Sequence, residues 1–270
     1  MNDVQKVAFE TLKNFVAVCE KMNLKFYLVN GSALGAQKYR GFIPWDDDID
    51  VAMPRKDYEK FLKNAQSLLP EQYFIQNYRT DKKFPFLYTK IRNSETAFIE
   101  SSVRNLDINH GIYIDIFPLD GYSASAKFRK IKDVLVKVLF WFSFCALEHK
   151  ASPKVNFRNA VLRLFGFHKR TDKALALLEK LVSDSNESDF LCNYADRQRK
   201  GCIPREWYAN GTTAEFEGLT VKIPEKFDDY LSYKYGDWRS ELPENQQKSH
   251  HTAMVVDVKK SYKEYIAKIR

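Results

Sequence analysis

The sequence is poor in cysteine and glycine, and it lacks the motifs that usually accompany a metal-binding or redox cysteine. The chain has 10 glycines and four cysteines in 270 residues. The cysteines form neither a C-x-x-C pair nor a zinc-knuckle spacing; they are Cys19, Cys145, Cys192 and Cys202. This pattern argues against a zinc module or a thioredoxin-like site. We expect all four thiols to be reduced, as is usual in the cytosol.

The sequence also lacks a long apolar run. The most apolar window, residues 134–147, is 14 residues long and contains Lys137. A membrane-spanning helix needs about 20 predominantly apolar residues, so this window is too short. The first residues contain no apolar signal segment. We therefore expect a cytoplasmic protein, in peripheral contact at most with the inner face of the cell membrane.

Basic residues exceed acidic ones, but only in one part of the chain. The whole sequence carries 43 Lys or Arg against 35 Asp or Glu. Residues 127–170 alone contain 11 basic and two acidic residues, a net charge of +9. Such a segment favours contact with an anionic membrane. The alternative is a core helical hairpin with solvated basic faces. Nucleic acid is a less favoured partner, because no nucleic-acid-binding motif accompanies the charge.

Hydrophobic residues make up 44% of the chain and charged residues 29%, which is typical of a folded globular protein. The patterns of apolar residues indicate mixed helices and strands over residues 1–125, including a helix over 4–22 and a strand over 73–76. Long helical periodicity extends from residue 126 to about residue 181, within a segment that we place at 126–200. Residues 201–270 combine short apolar runs, turns and a terminal helix. We predict an α+β catalytic core in the first segment, a basic helical segment in the second, and a C-terminal segment that packs on the core.

Two acidic residues alternate with apolar ones in the sequence Asp48-Ile49-Asp50-Val51. On a strand, Asp48 and Asp50 project from the same face. Two carboxylates so close repel each other unless a divalent cation lies between them, and Mg²⁺ prefers such oxygen ligands. Asp115 lies in a second strand-like run and is our candidate for a third ligand. Asp120, which precedes Gly121, is predicted to be a turn residue.

A tight turn precedes these acids. Gly31 and Ser32 follow a strand-like run and open a short helix, with Ser32 near its cap. Backbone N–H groups and a hydroxyl at a helix N-terminus form a phosphate-binding arrangement. Gly31 and Ser32 are therefore predicted to bind a phosphate near the carboxylates.

Several motifs carry a resemblance to a known family. They are Gly31–Gly35, Arg40–Val51, Thr89–Arg92, Ile114–Gly121, Phe216–Leu219, Ile223-Pro224 and Tyr230–Trp238. Together they resemble the signature of the LicD family, whose best-known members are bacterial phosphocholine transferases, and which is similar to fukutin-related ribitol-phosphate transferases. The resemblance covers most of the chain outside residues 126–200. It implies a nucleotidyltransferase-like mixed sheet flanked by helices, with a basic helical insertion.

The same resemblance implies a reaction and a set of ligands. Asp48 and Asp50 match the paired metal carboxylates of the family, and the choice between Asp115 and Asp120 as the third stays open, with strand context favouring Asp115. The expected cofactor is Mg²⁺, with Mn²⁺ as an alternative. The expected reaction transfers phosphocholine from CDP-choline to a sugar hydroxyl of a lipid-linked glycan precursor, of teichoic acid or lipopolysaccharide type, and releases CMP. The alternatives are transfer of ribitol phosphate or phosphoethanolamine, and nucleotidyl transfer to a small acceptor.

Cations and aromatic rings would complete such a site. Arg40, Lys90 and Arg92 are the cations that we expect to share the charge of the reacting phosphates. The quaternary ammonium of choline has no N–H group to donate, so its recognition needs aromatic faces. Trp45, beside the acids, is the leading candidate. Other aromatic residues are weaker candidates because aromatic side chains more often belong to the core; they are Phe84, Phe86, Tyr88, Tyr113, Trp207 and Tyr208.

Overall fold

A computed structural model describes residues 1–122, 129–147, 153–183, 188–195, 201–249 and 252–269. The strands are β1 (Tyr27–Leu28), β2 (Asp50–Pro54), β3 (Tyr73–Gln76), β4 (Thr89–Asn93), β5 (Ala97–Glu100), β6 (Ile112–Tyr122), β7 (Phe190–Cys192), β8 (Cys202–Pro204), β9 (Thr212–Phe216), β10 (Leu219–Ile223) and β11 (Ala253–Asp257). The helices are α1 (Asp3–Met22), α2 (Asn30–Lys38), α3 (Arg55–Asn64), α4 (Arg129–Phe144), α5 (Pro153–Leu164), α6 (Thr171–Val182), α7 (Arg205–Tyr208), α8 (Phe227–Tyr235) and α9 (Lys263–Ile269).

A mixed sheet forms the centre of the molecule, with strand order β1-β2-β6-β4-β3. Strands β2 and β6 are parallel, whereas the other neighbours in this order are antiparallel. The last residues of β6 also pair with β7, which in turn pairs with β8. Helix α1 packs against β6 and β4, and α3 packs against β2 and β6. The prediction of a mixed sheet flanked by helices is confirmed.

Helix α1 illustrates how the sequence builds this core. Its apolar residues recur every three or four positions, and Ala8, Leu12 and Phe15 are completely buried. Asn2 caps the first turn by accepting a hydrogen bond from the Gln5 N–H group, and the Gln5 side chain accepts one from the Asn2 N–H group. Asn23 ends the helix in the left-handed conformation, which asparagine adopts more readily than most residues. The predicted helix over 4–22 is therefore confirmed.

The predicted helical segment is confirmed in part: its described residues form helices α4, α5 and α6, but Phe190–Cys192 form strand β7, because they pair with the end of β6. One face of α4 packs against α6, where Val136, Leu175 and Leu178 are buried together. The predicted segment boundaries, at 125/126 and 200/201, lie at or beside the stretches 123–128 and 196–200, which are outside the described residues. Among the residues that the structure describes, no helix is both long and apolar enough to cross a membrane.

The C-terminal residues contact the N-terminal half of the chain at two places. Strand β11 pairs with β5 in an antiparallel ladder. Helix α8 and the hairpin strand β9 both contact α2. These contacts bring residues separated by about 200 positions to the same end of the sheet as the turn that contains Gly31.

The expectation of four reduced thiols is wrong for two of them. Cys192 and Cys202 form a disulfide, whereas Cys19 and Cys145 are free and buried. The two bonded cysteines lie directly opposite each other in the antiparallel β7–β8 pair. This register brings their Cα atoms to 3.9 Å. A separation of ten residues gave no sign of this pairing, because it arises from the strand register and not from a cysteine motif.

Candidate active site

Three carboxylates meet on two neighbouring inner strands of the central sheet, where β2 begins beside β6. Asp48 precedes β2, Asp50 is the first residue of β2, and Asp115 lies in β6. One carboxylate oxygen from each lies within 4.8 Å of the others. We call Asp48, Asp50 and Asp115 the carboxylate cluster. Asp46, Asp47 and Asp48 form a second group within the same distance limit, so Asp48 belongs to both groups.

The parallel register of β2 and β6 explains how distant residues form the cluster. The Cα partner of Asp50 is Asp115, and the Asp115 N–H group donates a 2.8 Å hydrogen bond to the Ile49 carbonyl oxygen. Ile49 and Val51 are completely buried and hold this part of the chain in the core. Because side chains alternate along a strand, burial of Ile49 and Val51 directs Asp48 and Asp50 to the other side.

The turn after β1 holds the start of β2 in place through a hydrogen bond. The Ser32 hydroxyl is buried and accepts a 2.8 Å hydrogen bond from the Asp50 N–H group. The helix begins at Asn30 with Val29 at the N-cap position, so Ser32 lies in the first turn, near the cap as predicted. A Cβ atom at Gly31 would lie 2.7 Å from Asp46 Oδ2, so a larger residue would displace that carboxylate. Gly31 and Ser32 thus lie directly against the acidic segment.

Sequence reasoning missed Asn30 and Tyr230. Asn30 has a backbone φ of 48°, and its side chain hydrogen-bonds to the Asp50 carboxylate. The Tyr230 hydroxyl accepts a 3.0 Å bond from the Asn30 N–H group and donates a 3.2 Å bond to Asn30 Oδ1. The tight turn at Gly31 was predicted from the sequence, but the contact of the preceding residue, Asn30, with Asp50 was not. The contribution of Tyr230, 200 residues away, depends on tertiary packing.

The electrostatics of the cluster fit a cation. Burial, together with the charges of Asp48 and Asp115, raises the pKa of Asp50 well above its ordinary value. Burial also raises the pKa of Asp115 to about 6, although the Lys90 ammonium opposes this change. Both shifts reflect the cost of holding several buried carboxylate charges close together without a compensating cation. Closely spaced carboxylate oxygens are the ligands that Mg²⁺ and Mn²⁺ prefer. The residues present therefore fit a divalent cation.

The three predicted cations occupy different positions. Lys90 is buried, and its Nζ lies 2.7 Å from Asp115 Oδ1 and 3.2 Å from the centroid of the Tyr113 ring. Arg92 is also buried, but its guanidinium donates to Gln76 Oε1 and to the Gly111 carbonyl oxygen. Arg40 is exposed, and its carbonyl accepts from the Glu217 N–H group. Of these three, the structure brings Lys90 into contact with the carboxylate cluster.

Asp120, the alternative third ligand, lies in a different environment. It is five residues after Asp115 on β6, so the two side chains project from opposite faces of the sheet. Both Asp120 oxygens accept hydrogen bonds from Arg55, at 2.6 and 2.7 Å. Arg55 also donates to Glu179 of α6 at 2.9 Å. Asp120 is therefore part of a buried ion-pair network that joins α3, β6 and α6, and it is not the turn residue that we predicted.

A groove of about 400 Å³ opens beside the cluster. Asp48 and Asp50 line one part of it, together with Gly31. Aromatic side chains line another part: Tyr39, Trp45, Tyr235 and Trp238. The rings of Tyr39 and Trp45 meet edge to face, with centroids 6.4 Å apart. Trp45 therefore lies beside the acidic residues, as expected from the sequence. The other three aromatic residues of the groove were not predicted.

The weaker aromatic candidates lie elsewhere. Phe84 and Phe86 pack in a small apolar cluster with Phe144. Tyr208 is buried against Tyr27, and Trp207 packs against the main core. Tyr88 and Tyr113 flank the Lys90 ammonium, so they contribute to the surroundings of the carboxylate cluster but do not line the groove.

Comparisons with known proteins agree with the resemblance seen in the motifs. Residues 23–164, just over half of the chain, match the family model described as LicD/FKTN/FKRP, nucleotidyltransferase domain. The lipopolysaccharide cholinephosphotransferase LicD of Haemophilus influenzae is 28% identical over 269 residues, which cover 93% of this chain and 96% of that protein. An uncharacterized protein of Rickettsia prowazekii is 33% identical over 120 residues, covering 42% of this chain and 45% of that protein.

Proposed function

Because the chain belongs to the LicD/FKTN/FKRP nucleotidyltransferase-domain family, we propose that it is a phosphotransferase that moves phosphocholine from CDP-choline to a sugar hydroxyl of a lipid-linked cell-surface glycan. The Haemophilus influenzae relative, named as a lipopolysaccharide cholinephosphotransferase, supports phosphocholine as the transferred group and a glycan as the acceptor. We choose CDP as the activating group on the basis of the family resemblance. The observation that carries the proposal is the carboxylate cluster beside a groove with aromatic walls. We assign the central mixed sheet to the nucleotidyltransferase fold on the basis of the family.

The carboxylate cluster would hold the divalent cation. Asp48, Asp50 and Asp115 are the proposed ligands, with Mg²⁺ as the first choice and Mn²⁺ as the second. When bound, the cation would neutralise charge on the phosphoryl oxygens of the donor. Lys90 would keep the Asp115 carboxylate ionised, because its ammonium opposes the effect of burial on the pKa of Asp115.

The first turn of α2 would bind the donor's phosphates. Gly31 lines the groove, and the helix N-terminus presents N–H groups with partial positive charge. In the proposed reaction the oxygen of the acceptor hydroxyl bonds to the phosphorus that carries choline, and the hydroxyl proton is released. The bond from that phosphorus to the bridging oxygen breaks, and CMP leaves. Asn30 and Ser32 would position Asp50 through the hydrogen bonds described above.

The aromatic part of the groove would receive choline. A quaternary ammonium is attracted to the faces of aromatic rings and needs no hydrogen-bond acceptor. Trp45 and Tyr39 line this groove together with Asp46, and Trp238 lines it together with Asp237. These carboxylates add favourable charge for a cationic group. Replacing Trp45 by leucine should therefore weaken binding of CDP-choline more than binding of CDP-ribitol, which carries no positive charge on its alcohol.

Calorimetric titration tests the proposal directly. The protein is titrated with CDP-choline, CDP-ethanolamine, CDP-ribitol and CTP, each with and without Mg²⁺. We expect Mg²⁺-dependent binding with CDP-choline as the tightest ligand, and we expect the double variant Asp48→Asn/Asp50→Asn to lose it. The matched control Asp3→Asn/Asp107→Asn removes two exposed carboxylates and should bind normally. Tighter binding of another CDP-alcohol would contradict choline as the substrate, and tighter binding of CTP would favour nucleotidyl transfer.

A further inference from the structure

Helix α4 is apolar on two faces, and one of them is exposed. Val136 is buried against α6, and Leu139 and Phe140 pack around it. On the outer side, Ile131, Val134, Leu135 and Trp141 recur at helical spacing, and they are 45–58% exposed. Burial of the inner face holds α4 in place, so the outer apolar stripe belongs to a packed helix.

Helix α5 adds a second exposed apolar stripe. Phe157, Val161 and Leu164 lie on one side of the helix at spacings of four and three residues, and Phe165 follows directly. Leu164 is 83% exposed, and Phe157 and Phe165 are each 72% exposed. Such exposure of large apolar residues is unusual for a surface that meets only water.

Two arginine residues connect the helices. The Arg158 guanidinium carbon lies 5.0 Å from the centroid of the Trp141 ring. Arg163 donates hydrogen bonds to the carbonyl oxygens of Cys145 and Leu147, at 2.6 and 2.9 Å, just beyond the end of α4. Helix α5 is therefore attached to the C-terminal end of α4, and the two apolar stripes lie on neighbouring elements.

Basic residues accompany both stripes. Lys137 of α4 and Lys154 of α5 are exposed, as are Lys169 and Arg170 after α5. Residues 127–170 carry a net charge of +9 in the sequence, and Asp133 is the one acidic residue of this segment that the structure describes. Lys and Arg beside exposed Trp, Phe and Leu are the composition of helices that lie in the interface of an anionic bilayer.

We propose that the outer faces of α4 and α5, with their flanking basic residues, dock the protein on an anionic lipid bilayer. We call this surface the α4–α5 face. The apolar side chains would enter the headgroup region, while the Lys and Arg residues would contact the lipid phosphates. A second copy of the chain is a poorer occupant, because a twofold contact would bring this strongly basic surface against itself. This inference goes beyond the transfer reaction and does not depend on the identity of the donor.

Vesicle co-sedimentation of the full chain tests the proposal. The vesicles are pure phosphatidylcholine, or phosphatidylcholine with about one third phosphatidylglycerol. We expect binding to the anionic vesicles that falls as salt is raised, and at least tenfold weaker binding for Phe157→Ser/Leu164→Ser/Phe165→Ser. The control Met254→Ser/Val256→Ser removes two residues of β11 that are 49% and 48% exposed, and it should bind like the unmodified protein.

Two further measurements make the result decisive. Circular dichroism should show that the triple variant keeps its helical content. Lipids brominated near the headgroup should quench tryptophan fluorescence in the unmodified protein, and quenching should fall in Trp141→Phe. Absence of binding to anionic vesicles, or equal binding by a folded triple variant, would overturn the proposal. A concentration-dependent dimer that the triple variant abolishes, without vesicle binding, would assign the α4–α5 face to a second copy instead.

Discussion

Lys90 Nζ lies 2.7 Å from Asp115 Oδ1, and both side chains are buried, so Lys90 contacts the carboxylate cluster through Asp115. Lys90 therefore supplies a fixed positive charge where three carboxylates converge. Removing one member of this buried ion pair should lower the free energy of unfolding, because the other charge is left buried without compensation. The contact with Asp115 also distinguishes Lys90 from Arg92, which is buried nearby but donates to Gln76 and to Gly111.

Replacing Lys90 by methionine should therefore destabilise the protein by about 3–5 kcal/mol in the absence of divalent cation. Added Mg²⁺ should recover part of this loss, because a bound cation would replace the missing charge. Urea unfolding with and without Mg²⁺ measures both effects. Lys83→Met is the control, since Lys83 forms an exposed pair with Asp107. Equal stability of Lys90→Met and Lys83→Met would show that the buried pair contributes nothing.

Asp115 and Asp120 should behave differently when each is changed to asparagine. Asp115→Asn should lose most of the binding of Mn²⁺, because it removes one of the three clustered carboxylates. Asp120→Asn should keep that binding but lower the free energy of unfolding by about 3 kcal/mol, because it leaves Arg55 buried without its main partner. Electron paramagnetic resonance of Mn²⁺, together with urea unfolding, measures the two properties. Loss of Mn²⁺ binding in a folded Asp120→Asn variant would contradict this assignment.

Ser32→Ala should destabilise the turn that holds Asp50. The substitution leaves the Asp50 N–H group without the acceptor that it has at 2.8 Å. An unsatisfied buried donor costs about 1–3 kcal/mol. Thermal unfolding compares this variant with Ser67→Ala, in which an exposed hydroxyl is removed. If the two variants unfold alike, the Ser32 hydroxyl does not support β2.

The disulfide gives a simple chemical prediction. The purified oxidised protein, unfolded without reductant, should react with two equivalents of a thiol reagent, at Cys19 and Cys145. Reduction before unfolding should raise this to four. Mass spectrometry of a non-reduced digest should contain a peptide that joins Cys192 to Cys202. Four reactive thiols without reductant would contradict the pairing.

Local patterns predicted the elements that position the cluster. Alternation of apolar and acidic residues identified Asp48 and Asp50, and the run around Asp115 identified a second strand, because burial on one side of a strand leaves a two-residue period in the sequence. Strand β3 occupies the residues predicted for it, 73–76. These features depend on neighbouring residues, so they are visible without a structure.

Features that depend on distant contacts were not predicted. Tyr235 and Trp238 reach the groove beside Tyr39 because α8 contacts α2, across about 200 residues. Arg92 was predicted to bind phosphate, but its guanidinium donates hydrogen bonds to Gln76 and to the Gly111 carbonyl oxygen instead. The exposed and buried stripes of α4 contain similar types of apolar residue, so the sequence alone did not show which face packs against the core.

The most direct test of the proposed function follows the two halves of the donor. CDP-choline labelled with ¹⁴C in choline and ³H in cytidine is incubated with Mg²⁺, the protein and lipid-linked glycan extracted from the source cells. Our account predicts that ¹⁴C enters the glycan fraction while ³H appears as CMP, and that a folded Asp50→Asn variant does neither. Transfer of ³H to the glycan, or ¹⁴C transfer that persists in Asp50→Asn, would contradict it.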